Sequence, residues 1–128
     1  MRRLLIIDDD DLLRNSLGVI LNARGFICTS APGALEAIEQ AEAGQFDVAL
    51  VDINMPGLDG FEVIKALARI KPRMCIVAMS GRQFDGDLDY AMIATGLGAD
   101  AFLAKPFKPQ QLLEASERRP AAVQADRT

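Results

Sequence analysis

The sequence predicts a doubly wound α/β domain in which five parallel strands form one sheet flanked by five helices. Five short apolar segments alternate with segments of helical periodicity along the 128 residues. Such alternation is typical of parallel strands joined by right-handed helical crossovers, with helices on both faces of the sheet. Half of the residues are hydrophobic and a quarter are charged, which is an ordinary balance for one globular domain of this length.

Each predicted strand is a short apolar run bounded by charged or turn-forming residues. The first run leads straight into four consecutive aspartates, Asp8 to Asp11, and no basic residue follows nearby after Arg3. Runs that are apolar throughout are expected to be buried on both faces of a sheet. The predicted strands cover residues 4–7, 26–30, 46–52, 74–80 and 101–104.

Helical periodicity and end signals separate these strands. In the first helix, apolar residues recur at helical spacing between Leu13 and Leu21. Asp10 or Asp11 can cap its N-terminus, and Gly25 can end it. The other helices are predicted at about residues 32–43, 60–70, 87–97 and 109–119. A domain over residues 1–119 is therefore expected, followed by a tail or the start of a linker at 120–128.

The composition argues against several classes of function. The net charge is −4 and no basic cluster extends beyond Arg118 and Arg119, so nucleic-acid binding by this domain is not expected. No apolar run approaches the ~20 residues of a membrane span and no signal peptide is recognisable, so a cytoplasmic protein is expected. Cys28 and Cys75 fall in different predicted strands and are expected to be reduced core residues. The absence of histidine excludes serine-type triads, histidine-ligated zinc and a phosphohistidine within this chain.

Side chains suited to phosphate chemistry follow four of the five predicted strands. Asp8 and Asp9 follow the first strand, Asp52 ends the third, Ser80 ends the fourth and Lys105 follows the fifth. Ligands of open parallel sheets bind beyond the carboxyl ends of the strands, so these residues are expected at one edge. Crowded carboxylates repel one another, and a cation that prefers oxygen ligands, such as Mg²⁺ or Ca²⁺, would relieve that repulsion. The pattern therefore predicts a site for a divalent metal and a phosphoryl group.

Four segments in a fixed order, LLIIDDDD, LVDINMPGLDG, VAMSG and AFLAKPF, resemble the receiver (CheY-like) domain of two-component response regulators. The resemblance covers about residues 2–119 and implies the flavodoxin-like strand order 2-1-3-4-5. It implies that Asp52 accepts a phosphoryl group in a Mg²⁺-dependent reaction. It further implies that Mg²⁺ is bound by the acidic pair Asp8 and Asp9, by Asp52 and by the backbone carbonyl of Asn54.

The resemblance also assigns roles near the last two strands. Ser80 takes the Ser/Thr switch position, Phe102 the aromatic switch position and Lys105 the phosphoryl-binding position. The Lys105–Pro106 peptide is expected to be cis, and Gly60 matches the glycine that ends the MPGLDG loop. The implied protein is a signalling domain that assists its own phosphoryl transfer and dephosphorylation, rather than an enzyme with a separate substrate.

Partners follow from the same resemblance. The phosphodonor is expected to be a sensor histidine kinase or a histidine phosphotransfer protein, and a downstream protein is the expected target. The surface of the fourth helix, fifth strand and fifth helix is expected to change on phosphorylation and is a candidate homodimer face. The sequence leaves open whether the chain is a stand-alone regulator or a receiver excised from a longer protein.

The chemistry of such a site can be stated from the residues. An aspartate carboxylate can attack phosphorus and form an acyl phosphate, and catalysis consists of positioning and charge neutralisation. Ser80 is expected to donate a hydrogen bond to a phosphoryl oxygen and to pull its loop inward. That movement would vacate space for rotation of Phe102, so that a few new bonds bias a two-state element.

One departure from the family pattern lies between Ser80 and Lys105, which are 25 residues apart. The extra length falls in the segment GRQFDGD, for which we predict a loop that moves on phosphorylation. An ordinary longer loop is the alternative. Arg82 either shields the phosphoryl group from hydrolysis or faces solvent, and comparison of dephosphorylation in the parent and Arg82→Ala would decide between them.

Three other functions compete with a receiver. A haloacid-dehalogenase-type phosphatase would use Asp8 as its nucleophile, but it needs an acidic pair after the lysine, where only Glu114 and Glu117 follow on a helix. That alternative also leaves Asp52 unexplained. A flavodoxin-like electron carrier would need a loop rich in Ser, Thr and Gly after the first strand. A receiver-shaped binding module without phosphorylation is disfavoured because every key position is filled.

Overall fold

The structure, a computed structural model, describes residues 2–55, 60–82 and 84–117. Its main feature is one parallel sheet, and a two-stranded hairpin lies in the connection before the fourth helix. The strands are β1 Arg2–Ile7, β2 Phe26–Ala31, β3 Val48–Asp52, β4 Cys75–Ser80, β5 Phe84–Asp85, β6 Leu88–Asp89 and β7 Ala101–Ala104. The helices are α1 Asp11–Ala23, α2 Ala34–Ala43, α3 Gly60–Ala68, α4 Tyr90–Leu97 and α5 Pro109–Ser116.

The predicted fold class is confirmed. The large sheet has the order β2-β1-β3-β4-β7 and all of its strands are parallel. Because β7 is the fifth strand of this sheet, the order corresponds to the expected 2-1-3-4-5. The central strands β1, β3 and β4 are buried from residue 4, 48 and 75 onward, which explains why their sequences are uninterrupted apolar runs.

Two apolar clusters cover the two faces of the sheet. Alternate strand residues point to opposite faces, so neighbours such as Leu4 and Leu5 belong to different clusters. The cluster that contains Leu5 includes buried residues of α2, α3 and α4. The cluster that contains Leu4 includes Leu21 of α1 and Leu112 of α5. With both faces closed by helices, the carboxyl ends of the strands are the open edge at which side chains can gather.

The strand register sets the carboxyl ends of neighbouring strands side by side. Ile7 of β1 pairs with Val51 of β3, and Asp52 of β3 pairs with Met79 of β4. The residue that follows β1 and the last residues of β3 and β4 therefore lie along one rim of the sheet.

Most predicted bounds differ from the observed ones by two residues or fewer, which is the usual variation at element ends. The exceptions in the described residues are the fourth helix, which begins at Tyr90 and not at 87, and the fifth helix, which ends at Ser116 and not at 119. The backbone N–H groups of Ala91 and Met92 donate to the Asp89 side chain, so Asp89 is the N-cap. Gly86, with φ +62°, forms the turn between the paired strands β5 and β6.

Other expectations have mixed outcomes. Asp10, one of the two cap candidates, caps α1 by accepting from the N–H of Leu13 at 3.1 Å. Cys75 lies in the core as expected, but Cys28 is only partly buried. The predicted tail at 120–128 lies outside the described residues. Among the helices that the structure describes, none combines the length and apolar character needed to cross a membrane.

Candidate functional site

Three carboxylates meet at the carboxyl rim of the sheet. One oxygen each of Asp8, Asp9 and Asp52 can be chosen so that all three lie within 4.8 Å of one another. Asp8 is fully buried and Asp52 is 5% exposed, whereas Asp9 is exposed. Two buried carboxylates and one exposed carboxylate form an oxygen-ligand set that is open to solvent on one side. This donor set fits a hard divalent cation such as Mg²⁺ or Ca²⁺.

Lys105 lies between the two buried carboxylates. Its ammonium nitrogen is 3.1 Å from Oδ2 of Asp8 and 3.4 Å from Oδ2 of Asp52. The lysine follows β7, the strand beyond β4, and its side chain reaches back along the rim. The peptide between Lys105 and Pro106 is cis, and the N–H of Lys105 donates to the carbonyl of Ser80 at 2.8 Å.

The environment of Asp52 disfavours its ionised form. Burial raises the pKa of Asp52 above its usual value, and repulsion from Asp8 raises it further. The N–H of Asn54, which donates to Oδ1 of Asp52 at 3.0 Å, and the charge of Lys105 both lower the pKa, yet the net direction is upward. The folded protein therefore holds this carboxylate at a free-energy cost that a bound cation would reduce.

The loop after β1 is held by its own backbone and by Arg14. The N–H of Asp10 donates to Oδ1 of Asp8 at 3.0 Å. Nη1 of Arg14 donates to the carbonyl of Asp8 at 2.7 Å, and its Nη2 pairs with Asp11 at 2.5 Å. The aspartate run thus has a basic neighbour, and the expectation that none lies nearby after Arg3 is wrong. The signal for it was the three-residue spacing of Asp11 and Arg14, which places both on one helix face.

Ser80 ends β4 and is fully buried. Its hydroxyl oxygen accepts a hydrogen bond from Nδ2 of Asn54 at 2.7 Å and another from the backbone N–H of Arg82 at 3.0 Å. The family resemblance assigns a role only to the backbone carbonyl of Asn54, so the contact made by its amide side chain is a finding of the structure. No sequence signal predicts that contact, because the residues are 26 positions apart and meet only through strand pairing.

The backbone of Gly60 packs closely against the backbone of Asp52. A Cβ atom at position 60 would lie 2.3 Å from the carbonyl oxygen of Asp52 and 2.5 Å from Cα of Ile53. The N–H of Gly60 donates to the carbonyl of Ile53 at 3.1 Å. Only glycine allows α3 to begin this close to the end of β3. Residues 56–59 of the MPGLDG loop lie outside the described residues.

The structure also describes the remaining predicted residues. Phe102 is partly buried and packs against the cluster under α2, α3 and α4. The side chain of Arg82 is exposed. Within the GRQFDGD segment the structure describes all residues but Gln83, and residues 84–85 and 88–89 form the hairpin β5–β6. Glu114 lies on α5, where it accepts from Gln110 at 3.4 Å, and nothing supports the phosphatase alternative.

Comparison with known proteins gives consistent matches. The family model for the response regulator receiver domain matches residues 4–117. The chain is 36% identical to the transcriptional regulatory protein FixJ of Bradyrhizobium diazoefficiens, over 84% of the chain and 51% of that protein. It is 32% identical to the C4-dicarboxylate transport transcriptional regulatory protein DctD of Rhizobium meliloti, over 88% of the chain and 24% of that protein. The chain thus spans about half, or less, of the length of these relatives.

Solved structures give the same result for the fold. The structure named FixJ-N has a TM-score of 0.80 at 29% identity and covers 92% of each chain. The response regulator TrrA of Thermotoga maritima, in complex with Mg²⁺ and BeF, has a TM-score of 0.76 at 28% identity, over 89% of this chain and 95% of that chain. A Burkholderia pseudomallei response regulator with a phosphorylated aspartic acid and a calcium ion has a TM-score of 0.84 at 28% identity, over 100% and 74% of the chains.

Proposed function

We propose, for a chain that belongs to the response regulator receiver domain family, that Asp52 is the phosphoacceptor of a Mg²⁺-dependent phosphorylation switch. The observation that carries the assignment is the place of Asp52 in the strand order. It ends β3, which lies between β1 and β4. Asp8 therefore flanks it on one side, while Ser80 and Lys105 come from the strands on the other side.

This placement supports Asp52 over Asp8 as the nucleophile. A phosphoryl group on Asp52 would have carboxylates for a metal on one side and a hydroxyl and an ammonium on the other. A phosphoryl group on Asp8 would lie between β2 and β3, away from Ser80. The β2 end offers only Ser30 and Ala31, neither of which carries a charge.

Each residue has a proposed part in the transfer. Asp8, Asp9, Asp52 and the carbonyl of Asn54 would hold Mg²⁺, which supplies charge neutralisation for the phosphoryl oxygens. An oxygen of Asp52 forms a bond to phosphorus as the bond from phosphorus to the donor's nitrogen breaks, which leaves an acyl phosphate. Lys105 faces Asp52 and balances part of the added negative charge.

The phosphorylated state is read out through Ser80 and Phe102. The Ser80 hydroxyl donates to a phosphoryl oxygen and draws the segment after β4 inward. Phe102 then rotates into the space that this movement opens, and the surface of α4, β7 and α5 changes. The domain acts on no separate substrate and assists only its own phosphorylation and dephosphorylation.

The partners are proposed from the same premise. A sensor histidine kinase or a histidine phosphotransfer protein supplies the phosphoryl group, because this chain has no histidine. The output is a protein contact or a homodimer through the face of α4, β7 and α5. FixJ and DctD are named as transcriptional regulatory proteins, so a transcriptional output through a longer protein is one form that the target could take.

Mass spectrometry tests the assignment directly. The protein is incubated with acetyl phosphate or phosphoramidate and Mg²⁺, and intact masses are measured for the parent, Asp52→Asn and Asp87→Asn. Asp87 is an exposed carboxylate of the hairpin turn and serves as the matched control. We expect a gain of one phosphoryl group in the parent and in Asp87→Asn, only with Mg²⁺, and none in Asp52→Asn. An equal gain in Asp52→Asn would overturn the assignment, and loss of labelling in Asp8→Asn with retention in Asp52→Asn would favour the phosphatase.

A further inference from the structure

We infer that the side-chain amide of Asn54 is a positioning group that keeps the proton of the Ser80 hydroxyl available for a phosphoryl oxygen. The inference rests on the proposed function, since it takes Asp52 as the phosphoacceptor. It adds a role for the Asn54 side chain, which is separate from the role of its backbone carbonyl toward the metal.

The hydroxyl group of Ser80 has a limited capacity for hydrogen bonds. A serine hydroxyl has two lone pairs that accept hydrogen bonds and one hydrogen that it can donate. In this protein Nδ2 of Asn54 and the N–H of Arg82 both donate to Oγ of Ser80, at 2.7 and 3.0 Å. Both lone pairs are therefore in use, and the hydrogen is directed to the remaining tetrahedral position.

That hydrogen has no partner within the part of the chain that the structure describes. The hydrogen bonds of Ser80 in the described residues have its hydroxyl as acceptor only, although the side chain is fully buried. A buried donor without an acceptor costs free energy unless a ligand supplies the acceptor. An oxygen of a phosphoryl group on the neighbouring strand would be such an acceptor.

Asn54 also connects the hydroxyl to the reacting carboxylate. Its backbone N–H donates to Oδ1 of Asp52 at 3.0 Å, while its amide nitrogen donates to Ser80. One residue thus fixes the position of the phosphoacceptor and the direction of the hydroxyl donor. The second donor to Ser80 is the backbone of Arg82, which substitution does not remove. Asn54 is therefore the group that can be tested.

The chemistry of position 54 predicts an order of effects. Alanine removes one donor, so that the Ser80 hydroxyl can rotate and its hydrogen is no longer directed. Aspartate has nearly the same size as asparagine but accepts hydrogen bonds, so it would take the Ser80 hydrogen for itself. Binding of a phosphoryl mimic should therefore weaken in Asn54→Ala and weaken more in Asn54→Asp.

A double-mutant cycle with beryllofluoride as the mimic tests the inference. Its affinity is measured at saturating Mg²⁺ for the parent, Asn54→Ala, Ser80→Ala and the double variant, with thermal unfolding as a check of folding. We expect about a five- to tenfold loss in each single variant, the usual effect of one hydrogen bond. The double variant should lose little more than Ser80→Ala alone, because Asn54 acts through Ser80. A loss of affinity in the double variant equal to the product of the two single losses would overturn the inference.

Two further measurements distinguish a failure of this inference from a failure of the proposed function. The affinity for Mg²⁺ alone is measured for every variant, so that each beryllofluoride titration is made at saturating metal. If the parent does not bind beryllofluoride with Mg²⁺, or if Asp52→Asn binds it equally well, the proposed function itself is wrong. If Asn54→Ala does not fold, the uncharged and similarly sized Asn54→Leu paired with Ser80→Ala completes the same cycle, and additive losses there would equally overturn the inference.

Discussion

In the part of the chain that the structure describes, Lys105 is the cation that forms ion pairs with the buried carboxylates of the rim. It contacts Asp8 and Asp52, at 3.1 and 3.4 Å, and both carboxylates are buried. Removing one partner of a buried ion pair leaves an uncompensated charge, which costs more than the pair contributes while it is intact. The stability of the metal-free domain should therefore respond strongly to this lysine.

We expect Lys105→Met to lower the free energy of unfolding by about 2 kcal/mol without metal, less than for a fully buried pair because the lysine is 21% exposed. Chemical denaturation of the metal-free protein measures this difference. Lys65→Met, at an exposed position of α3, is the control and should change stability by less than about 0.5 kcal/mol. Equal effects of the two substitutions would contradict this account of the site.

Asp52→Asn should have the opposite effect on the metal-free domain. The substitution removes a charge that is buried and repelled by Asp8, so we expect the free energy of unfolding to rise by about 1 kcal/mol at neutral pH. Since the folded-state pKa of Asp52 is raised, protonation favours the folded state, and this stability is lost as pH rises through the folded pKa. The increase in the free energy of unfolding caused by Asp52→Asn should therefore be complete at pH values above the raised pKa. It should be absent at pH values below the usual pKa range of aspartate.

Urea denaturation of the parent and Asp52→Asn across the acidic pH range measures that dependence. Asp87→Asn, an exposed substitution, controls for the general loss of a negative charge. A difference between the parent and Asp52→Asn that is constant with pH would show that ionisation of Asp52 is not its cause.

At the scale of elements, the start of α3 sets the shape of the site. A methyl group at Gly60 would overlap the backbone of Asp52 and Ile53. Gly60→Ala should therefore destabilise the domain by about 3 kcal/mol, the upper end for overpacking, and should also weaken metal binding by moving Asp52. Thermal unfolding and Mg²⁺ titration measure the two effects.

Gly96→Ala in α4 is a matched control for that substitution. A Cβ atom at Gly96 would meet nothing within 4 Å, so alanine should stabilise the helix by about 0.5–1 kcal/mol. If both glycine substitutions were destabilising to the same extent, a general cause would replace the steric explanation at Gly60.

The hairpin β5–β6 is the element for which we predict a response to phosphorylation. It begins four residues after Ser80, whose side chain is bonded to the N–H of Arg82. If Ser80 moves toward a phosphoryl oxygen, the bond to Arg82 must change, and the hairpin moves with it. Amide hydrogen exchange at residues 84–89 should differ with and without beryllofluoride and Mg²⁺, whereas exchange in α2 should not. Unchanged hydrogen exchange at the hairpin would favour the alternative, an ordinary longer loop that does not respond to phosphorylation.

The same elements show what the sequence could predict. The central strands were predictable because burial on both faces demands unbroken apolar runs, and Asp10 and Gly25 mark the ends of α1 by rules of local geometry. The hairpin was not, because its strands have only two residues each and carry no periodicity. The contact of Asn54 with Ser80 depends on side-chain directions at paired strand ends, which sequence spacing does not encode.

At the scale of the whole molecule, the doubly wound topology brings residues 8, 52, 80 and 105 to one rim because each follows or ends a different parallel strand. Folding therefore assembles the carboxylates, and the unfolded chain has no such site. A ligand that binds only the folded state stabilises it by an amount set by its concentration relative to the dissociation constant. Binding of a cation by these carboxylates would consequently be linked to folding.

The linkage gives a prediction for the parent protein and one variant. At Mg²⁺ concentrations ten times the dissociation constant, the parent should gain about 1.4 kcal/mol of stability, or about 4 °C in Tm, relative to buffer of equal ionic strength. Asp9→Asn removes an exposed ligand, so it should fold normally in metal-free buffer and require more Mg²⁺ for the same gain. Asp87→Asn should behave as the parent. Equal responses to Mg²⁺ in all three proteins would show that the cation acts elsewhere on the surface, because only a site that includes Asp9 distinguishes them.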